Sequence, residues 1–187
     1  MMNEEIQKAA EILKKGGVIL YPTDTIWGIG CDAANEKAVE RIYQIKQRKE
    51  SKSLIILVES EHRLQKYVDV PPLAWDLIDL SEKPLTIVYD NPRNLPANLV
   101  SADNTIGIRL TKDEFCRKLI SKLGNPLVST SANISGESPP ENFSAISLKI
   151  LEDVDYIINL RRENLNKQTA SSVIKLSMGG KVKIIRE

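Results

Sequence analysis

The chain has 187 residues, of which 42% are hydrophobic, enough to bury a substantial core and suited to one domain over residues 1–187. Its 26 Lys and Arg balance 25 Asp and Glu to a net charge of +1, which excludes a surface built generally for polyanions and makes any anion site a local one. Two cysteines, Cys31 and Cys116, and the single His62 are too few for a Cys/His metal cluster or a disulfide scaffold, so the chain reads as a cytoplasmic protein with no metal site of its own.

At the N-terminus, early acids and Ile6, Ala9, Ala10 and Leu13 at helical spacing predict an amphipathic helix, not a signal peptide, stopped at Gly16-Gly17. "VILYP" reads as a short buried strand closed by Pro22, and the polar, glycine-bearing "TDTIWGIGCDAA" as a loop. Asn35 is placed to cap a helix whose Val39, Ile42 and Tyr43 share a face and which runs into the cations Lys46, Arg48, Lys49 and Lys52. "SLIILV" is a strand, helical patterns cover 60–67 and 72–80, and "LTIVY" and "TIGIRL" are strands flanking a Pro/Asn-rich loop. Residues 112–123 predict a helix with Phe115, Leu119 and Ile120 inward, and "PLVSTS" a strand that breaks into "ANISGESPP". A short helix over 142–149 and the strands "DYIINL", "SSVIKL" and "KVKIIRE" complete the pattern. No apolar run nears the ~20 residues of a membrane-spanning helix. The alternation predicts an α/β fold around a mixed sheet.

Four segments could carry chemistry. The cations after the second helix suit a solvated helix end, where they complement the backbone dipole, a basic patch, or a clamp on a polyphosphate. "PTDTIWGIG" is an ordinary loop in composition, yet loops at strand ends line crevices in open α/β sheets, and its glycines fit neither a dinucleotide-binding fingerprint nor a Walker A loop. Ser129, Thr130, Ser131 and Asn133 form either a hydroxyl-rich turn or a cradle for phosphate oxygens. Arg109, between Ile108 and Leu110, must reach solvent or an anion, and solvent is the default expectation. His62, in a charged helical stretch, reads as exposed. No Ser-His-Asp set is present, so covalent catalysis is not favoured.

In order along the chain, "GGVILYPTDTIWGIGCDA", "KQR", Lys52, "TIGIR", "STSANISG" and the late "SS" resemble the YrdC-like family, the threonylcarbamoyl-AMP synthases that supply a threonylcarbamoyl group for tRNA modification. The resemblance runs from about residue 8 onward. It implies a single-domain, twisted mixed parallel/antiparallel sheet flanked by helices, with an electropositive cavity in which ATP with Mg2+, L-threonine and bicarbonate meet. Threonine first becomes a carbamate, whose carboxylate displaces pyrophosphate from ATP. By the same resemblance Lys46 and Arg48 carry the catalytic charge and, with Lys52, clamp the triphosphate. Thr105, Ser131, Asn133 and Arg186 then contact ATP, and Thr23, Arg109, Ser129 and Ser171 contact threonine. The implied partners are a downstream threonylcarbamoyl transferase and, weakly, tRNA, with no membrane.

The sequence departs from the family at "SEKPLT", which lacks a Trp-Pro-Gly-Pro turn, at Trp27 in place of Tyr or Phe, at Ser172 in place of Thr, and at Lys49 where proline is common. A paralogue of the YciO type, or an RNA-binding module of the same fold, is the alternative. The former generally lacks the Lys-x-Arg and Ser-Ala-Asn segments, and the near-zero charge argues against tight, independent RNA binding.

Overall fold

In the computed structural model, which describes residues 1–47, 54–165 and 169–187, the alternating segments assemble into a nine-stranded sheet flanked by helices. Helix α1 (Met2–Lys14) buries Ile6, Ala9, Ala10 and Leu13 as one stripe, and the chain leaves it through Gly16 at φ 83°, a left-handed conformation that suits glycine. Strands β1 (Ile19–Tyr21) and β2 (Gly28–Gly30) precede α2 (Glu36–Ile45), where Asn35 Oδ1 accepts the Ala38 N–H at 3.1 Å as a cap. Then come β3 (Ile55–Val58), α3 (Glu61–Gln65), α4 (Pro72–Leu80), β4 (Leu85–Asp90) and β5 (Thr105–Leu110). Helix α5 (Glu114–Leu123), β6 (Leu127–Ser131), α6 (Leu148–Asp153), β7 (Tyr156–Ile157), β8 (Ser172–Leu176) and β9 (Val182–Arg186) follow.

The strand order is β7-β1-β2-β6-β3-β5-β4-β8-β9. Pairs β1–β7, β3–β5 and β4–β8 are parallel and the others antiparallel, so the sheet is mixed, as expected. Two expectations differ. The segment after β1 is a hairpin and not one long loop: Gly28–Gly30 pairs with β1 on one side, and Gly28 and Ile29 with β6 on the other. A Cβ on Gly30 would lie 2.3 Å from the Val128 carbonyl oxygen and 2.7 Å from Tyr21 Cε1, so this glycine serves close packing against the Tyr21 ring. The helix expected over 142–149 is split into a 3-10 turn at Phe143–Ala145 and α6, because Ile146 takes extended angles.

Alternation along the strands sorts the side chains into two faces. Leu20, Ile29, Ile56, Val58, Ile87, Ile106, Ile108 and Val128 enter the larger core, shared with α2. On the other face Ile19, Tyr21, Leu57 and Leu127 pack against α1 and α5. Those two helices cover one part of that face. Beyond them it carries Gly28, Ser129, Ile55, Gly107 and Arg109, several of them without an apolar side chain, and this is where the cavity lies.

Candidate active site

A cavity of about 210 Å³ opens on the partly covered face, lined by Thr25, Ile26, Gly28, Leu54, Ile55, Arg109, Ser129, Thr130, Ser131, Pro139, Ala170, Ser171 and Arg186. This is smaller than the ~300–1,000 Å³ of pockets for drug-sized ligands, and it suits a small polar molecule. Arg109 is its central charge. Strand alternation turns residue 109 away from the larger core, and the β1–β2 loop folds over it, so the guanidinium is 3% exposed. The default expectation of a solvent-reaching arginine is therefore corrected: the loop takes the place that water would have had.

The partners of Arg109 do not use it fully. Nη1 donates to Thr25 Oγ1 at 3.0 Å, and Nη2 lies 3.6 Å from Asp24 Oδ1, an ion-pair distance but too long for a hydrogen bond. Among the described residues Nε is buried with no hydrogen-bond partner. A buried donor left so is costly unless something else accepts from it. Asp24, at the rim, is held above the usual carboxylate range by burial, against the opposing pull of Arg109.

Hydrogen-bond order separates Thr25 from Thr23. Because the single Thr23 hydroxyl proton goes to the Ile26 carbonyl at 2.8 Å, Thr25 Oγ1, which accepts from Arg109, is the donor in its 2.9 Å bond to Thr23 Oγ1. Thr23 Oγ1 also accepts the Thr25 N–H at 3.0 Å. With one proton given and two bonds accepted, the Thr23 hydroxyl has no capacity left. Of the two, Thr25 lines the cavity and Thr23 stands behind it. The "T-x-T" spacing carries this signal, since residues two apart on a turn can bond to each other, but it does not say which faces inward.

Opposite the β1–β2 loop, Ser171 and Arg186 close the wall. Ser171 Oγ lies 2.9 Å from Thr86 Oγ1, and Arg186 donates through Nε to the Ser171 carbonyl at 3.0 Å. Burial first, and then the nearby Arg109 cation, hold Arg186 below the usual guanidinium range. Two arginines thus share one wall, which is the arrangement an anion would satisfy.

Among the residues singled out from the sequence, Arg109, Ser129, Ser131, Ser171 and Arg186 come together as lining. Lys46 is brought behind that wall: its ammonium, 2% exposed, donates to the carbonyls of Ser131 at 2.5 Å and Asn133 at 2.7 Å. It therefore also braces the turn after β6. Asn133 donates through Nδ2 to the Ile134 and Glu137 carbonyls, which fixes its amide and leaves Oδ1 buried without a partner among the described residues. Thr105 is not brought in: its hydroxyl donates to Asp103 at 2.8 Å, four residues before Arg109 and roughly 13 Å away along the strand. Arg48, Lys49 and Lys52 lie outside the described residues. His62 is exposed, as expected, and Cys31 and Cys116 are buried free thiols, both pushed up by burial. No helix among the described residues is long and apolar enough to cross a membrane.

The Sua5/YciO/YrdC family model, described as telomere recombination, matches residues 11–187. A threonylcarbamoyl-AMP synthase of Pseudoalteromonas translucida is 36% identical over 181 residues, 95% of each chain. Among solved structures, that of P. abyssi Sua5 complexed with L-threonine superposes with a TM-score of 0.81 at 29% identity, covering 91% of this chain and 50% of that one. E. coli YciO superposes with a TM-score of 0.82 at 26% identity, covering 100% of this chain and 90% of that one. The chain thus spans about half the length of the Sua5 chain it matches.

Proposed function

The chain belongs to the Sua5/YciO/YrdC family, and from that premise we propose that it is an L-threonylcarbamoyladenylate synthase that joins L-threonine, bicarbonate and ATP. The observation that carries this reading is the buried Arg109, whose Nε has no partner among the described residues, set in a cavity shared with Ser129, Ser171 and Arg186. A carboxylate supplies two coplanar oxygens to such a fork, and the α-carboxylate of an amino acid does so while bringing polar groups to the surrounding hydroxyls. The synthase name of a relative matched over 95% of its length favours this over a paralogue without the activity.

In this reading threonine sits on Arg109 with Thr25, Ser129 and Ser171 around it. Its amine, having taken up bicarbonate as a carbamate with loss of water, faces the nucleotide. A carbamate oxygen bonds to the α-phosphorus of ATP, the bond from that phosphorus to the bridging oxygen breaks, and pyrophosphate leaves with the electron pair. No protein nucleophile takes part, so the chain contributes positioning and charge. Lys46, Arg48 and Lys52 are the proposed clamp on the triphosphate, with Arg186 and Ser131 on the nucleotide side. Asn133 Oδ1, without a partner among the described residues, is an acceptor for a donor there. Thr105 reaches the nucleotide only if the ligand extends well past Arg109. No group of three or more His, Cys, Asp or Glu among the described residues is placed to hold a metal ion, so Mg2+ in this reading arrives on the triphosphate. The product is an activated acyl donor for a downstream transferase acting on tRNA.

The test is pyrophosphate release in the presence of ATP, bicarbonate and threonine. It should require all three and be lost in Arg48→Ala, and release that persists without threonine would overturn the assignment.

A further inference from the structure

We infer that Arg161, paired with Asp113, is a positioning residue for the Arg109 pocket, acting through the backbone of the β1–β2 loop. Arg161 Nη1 donates to Asp113 Oδ2 at 2.6 Å and to the Thr23 carbonyl at 3.3 Å. Asp113 is 8% exposed and fixed in turn: its Oδ1 accepts the Cys116 N–H at 2.9 Å as the cap of α5, and its own N–H donates to Thr111 Oγ1 at 3.2 Å. The pair thus bolts residue 23 to the end of a helix packed in the core. From residue 23 the hydroxyl relay runs through Thr25 to Arg109 Nη1, so a shift of the Thr23 carbonyl moves the group that aims the guanidinium.

The backbone of Arg161 points the same way. It holds φ at 58°, in the left-handed region. Among the described residues, three of the other four non-glycine residues at positive φ are asparagines, which tolerate that region. An arginine there is strained where glycine would be at ease, and the side-chain contacts to Asp113 and Thr23 are what the strain buys.

This inference rests on the reading of the cavity as a threonine site, and two variants separate the possibilities. Arg161→Gly removes the side chain while relaxing the backbone. Asp113→Asn keeps the helix cap, for which Asn and Asp are equivalent, and removes the charge. Each should raise the KM for threonine about tenfold, with the KM for ATP and kcat within about twofold of the unsubstituted enzyme. The double variant should be no worse than either single one, and Arg161→Lys should recover part of the loss. A second readout needs no substrate: the Arg109 Nε–H signal in a 15N spectrum should move in Arg161→Gly.

An unchanged threonine KM, or a parallel loss in every parameter that tracks the folded fraction, overturns the inference. So does an Arg109 signal that stays in place, whatever the kinetics. If the unsubstituted protein makes no adenylate, the threonine reading fails, and a moved Arg109 signal still supports the positioning role while an unmoved one rejects it.

Discussion

Arg109→Met separates function from stability. In the folded protein the guanidinium is 3% exposed, yet among the described residues it has one hydrogen bond, a carboxylate at 3.6 Å whose side chain is 22% exposed, and a second arginine sharing its wall. Burying a cation costs several kcal/mol before compensation, and replacement of poorly compensated buried charges by apolar groups of similar volume is neutral or stabilising by about 1–4 kcal/mol. Against that, Thr25 Oγ1 loses a donor, worth about 1–1.5 kcal/mol. The net effect runs from a loss of about 1.5 kcal/mol to a gain of about 3 kcal/mol, whereas truncating the neighbouring buried Ile108 to alanine costs about 2–5 kcal/mol. Threonine binding responds in the opposite sense: a ligand carboxylate deprived of its buried partner loses about 2–5 kcal/mol, a factor of roughly 30 to 5,000 in Kd. Urea denaturation and calorimetric titration with threonine measure the two quantities on one preparation. An Arg109→Met protein that loses more than about 3 kcal/mol of stability and still binds threonine would show that the guanidinium is a structural group and not a ligand for the carboxylate.

Lys46→Ala should abolish synthesis and also lower stability by about 2–4 kcal/mol in urea denaturation, because the Ser131 and Asn133 carbonyls lose a buried charged donor; full stability in that variant would mean that Lys46 does not brace the turn. Asp24→Asn should raise the unfolding temperature at pH 7, with the gain narrowing toward pH 4. Burial raises the folded-state pKa of Asp24 above its ordinary 3.8, so the native state takes up the proton first as pH falls, and the cost of the buried charge is present at neutral pH and relieved in acid. A gain that is equal or larger at pH 4 contradicts that assignment.

Much of the architecture was legible because it is local. The runs that became β3, β5 and β6 are apolar and bounded by turn residues, and Asn35 and Asp113 cap helices through their own side chains. Strand β2 was not legible: two of its three residues are glycines, and it is held as a strand by partners on both sides, one of them a hundred residues away. The strand order depends on such distant pairings, which no local pattern encodes. At the site, the segments were found but not their depth. Strand position alone makes solvent the default for Arg109, and it takes the resemblance to put threonine there; Thr25 and Asp24 of the β1–β2 loop, at the guanidinium, are what local pattern does not reveal. The same hairpin decides that Thr25 lines the cavity and Thr23 backs it, and the backbone turn that sets this order is fixed by the Thr23 hydroxyl bonding to residues 25 and 26.

The reaction itself can be read from the fate of bicarbonate carbon. Incubated with ATP, L-threonine and 14C-bicarbonate, the protein should form a labelled adenylate together with pyrophosphate, dependent on all three substrates and absent in Arg109→Met. ATP turnover that yields no labelled adenylate, or a label that appears without threonine, would contradict a cavity built to hold the amino acid by its carboxylate.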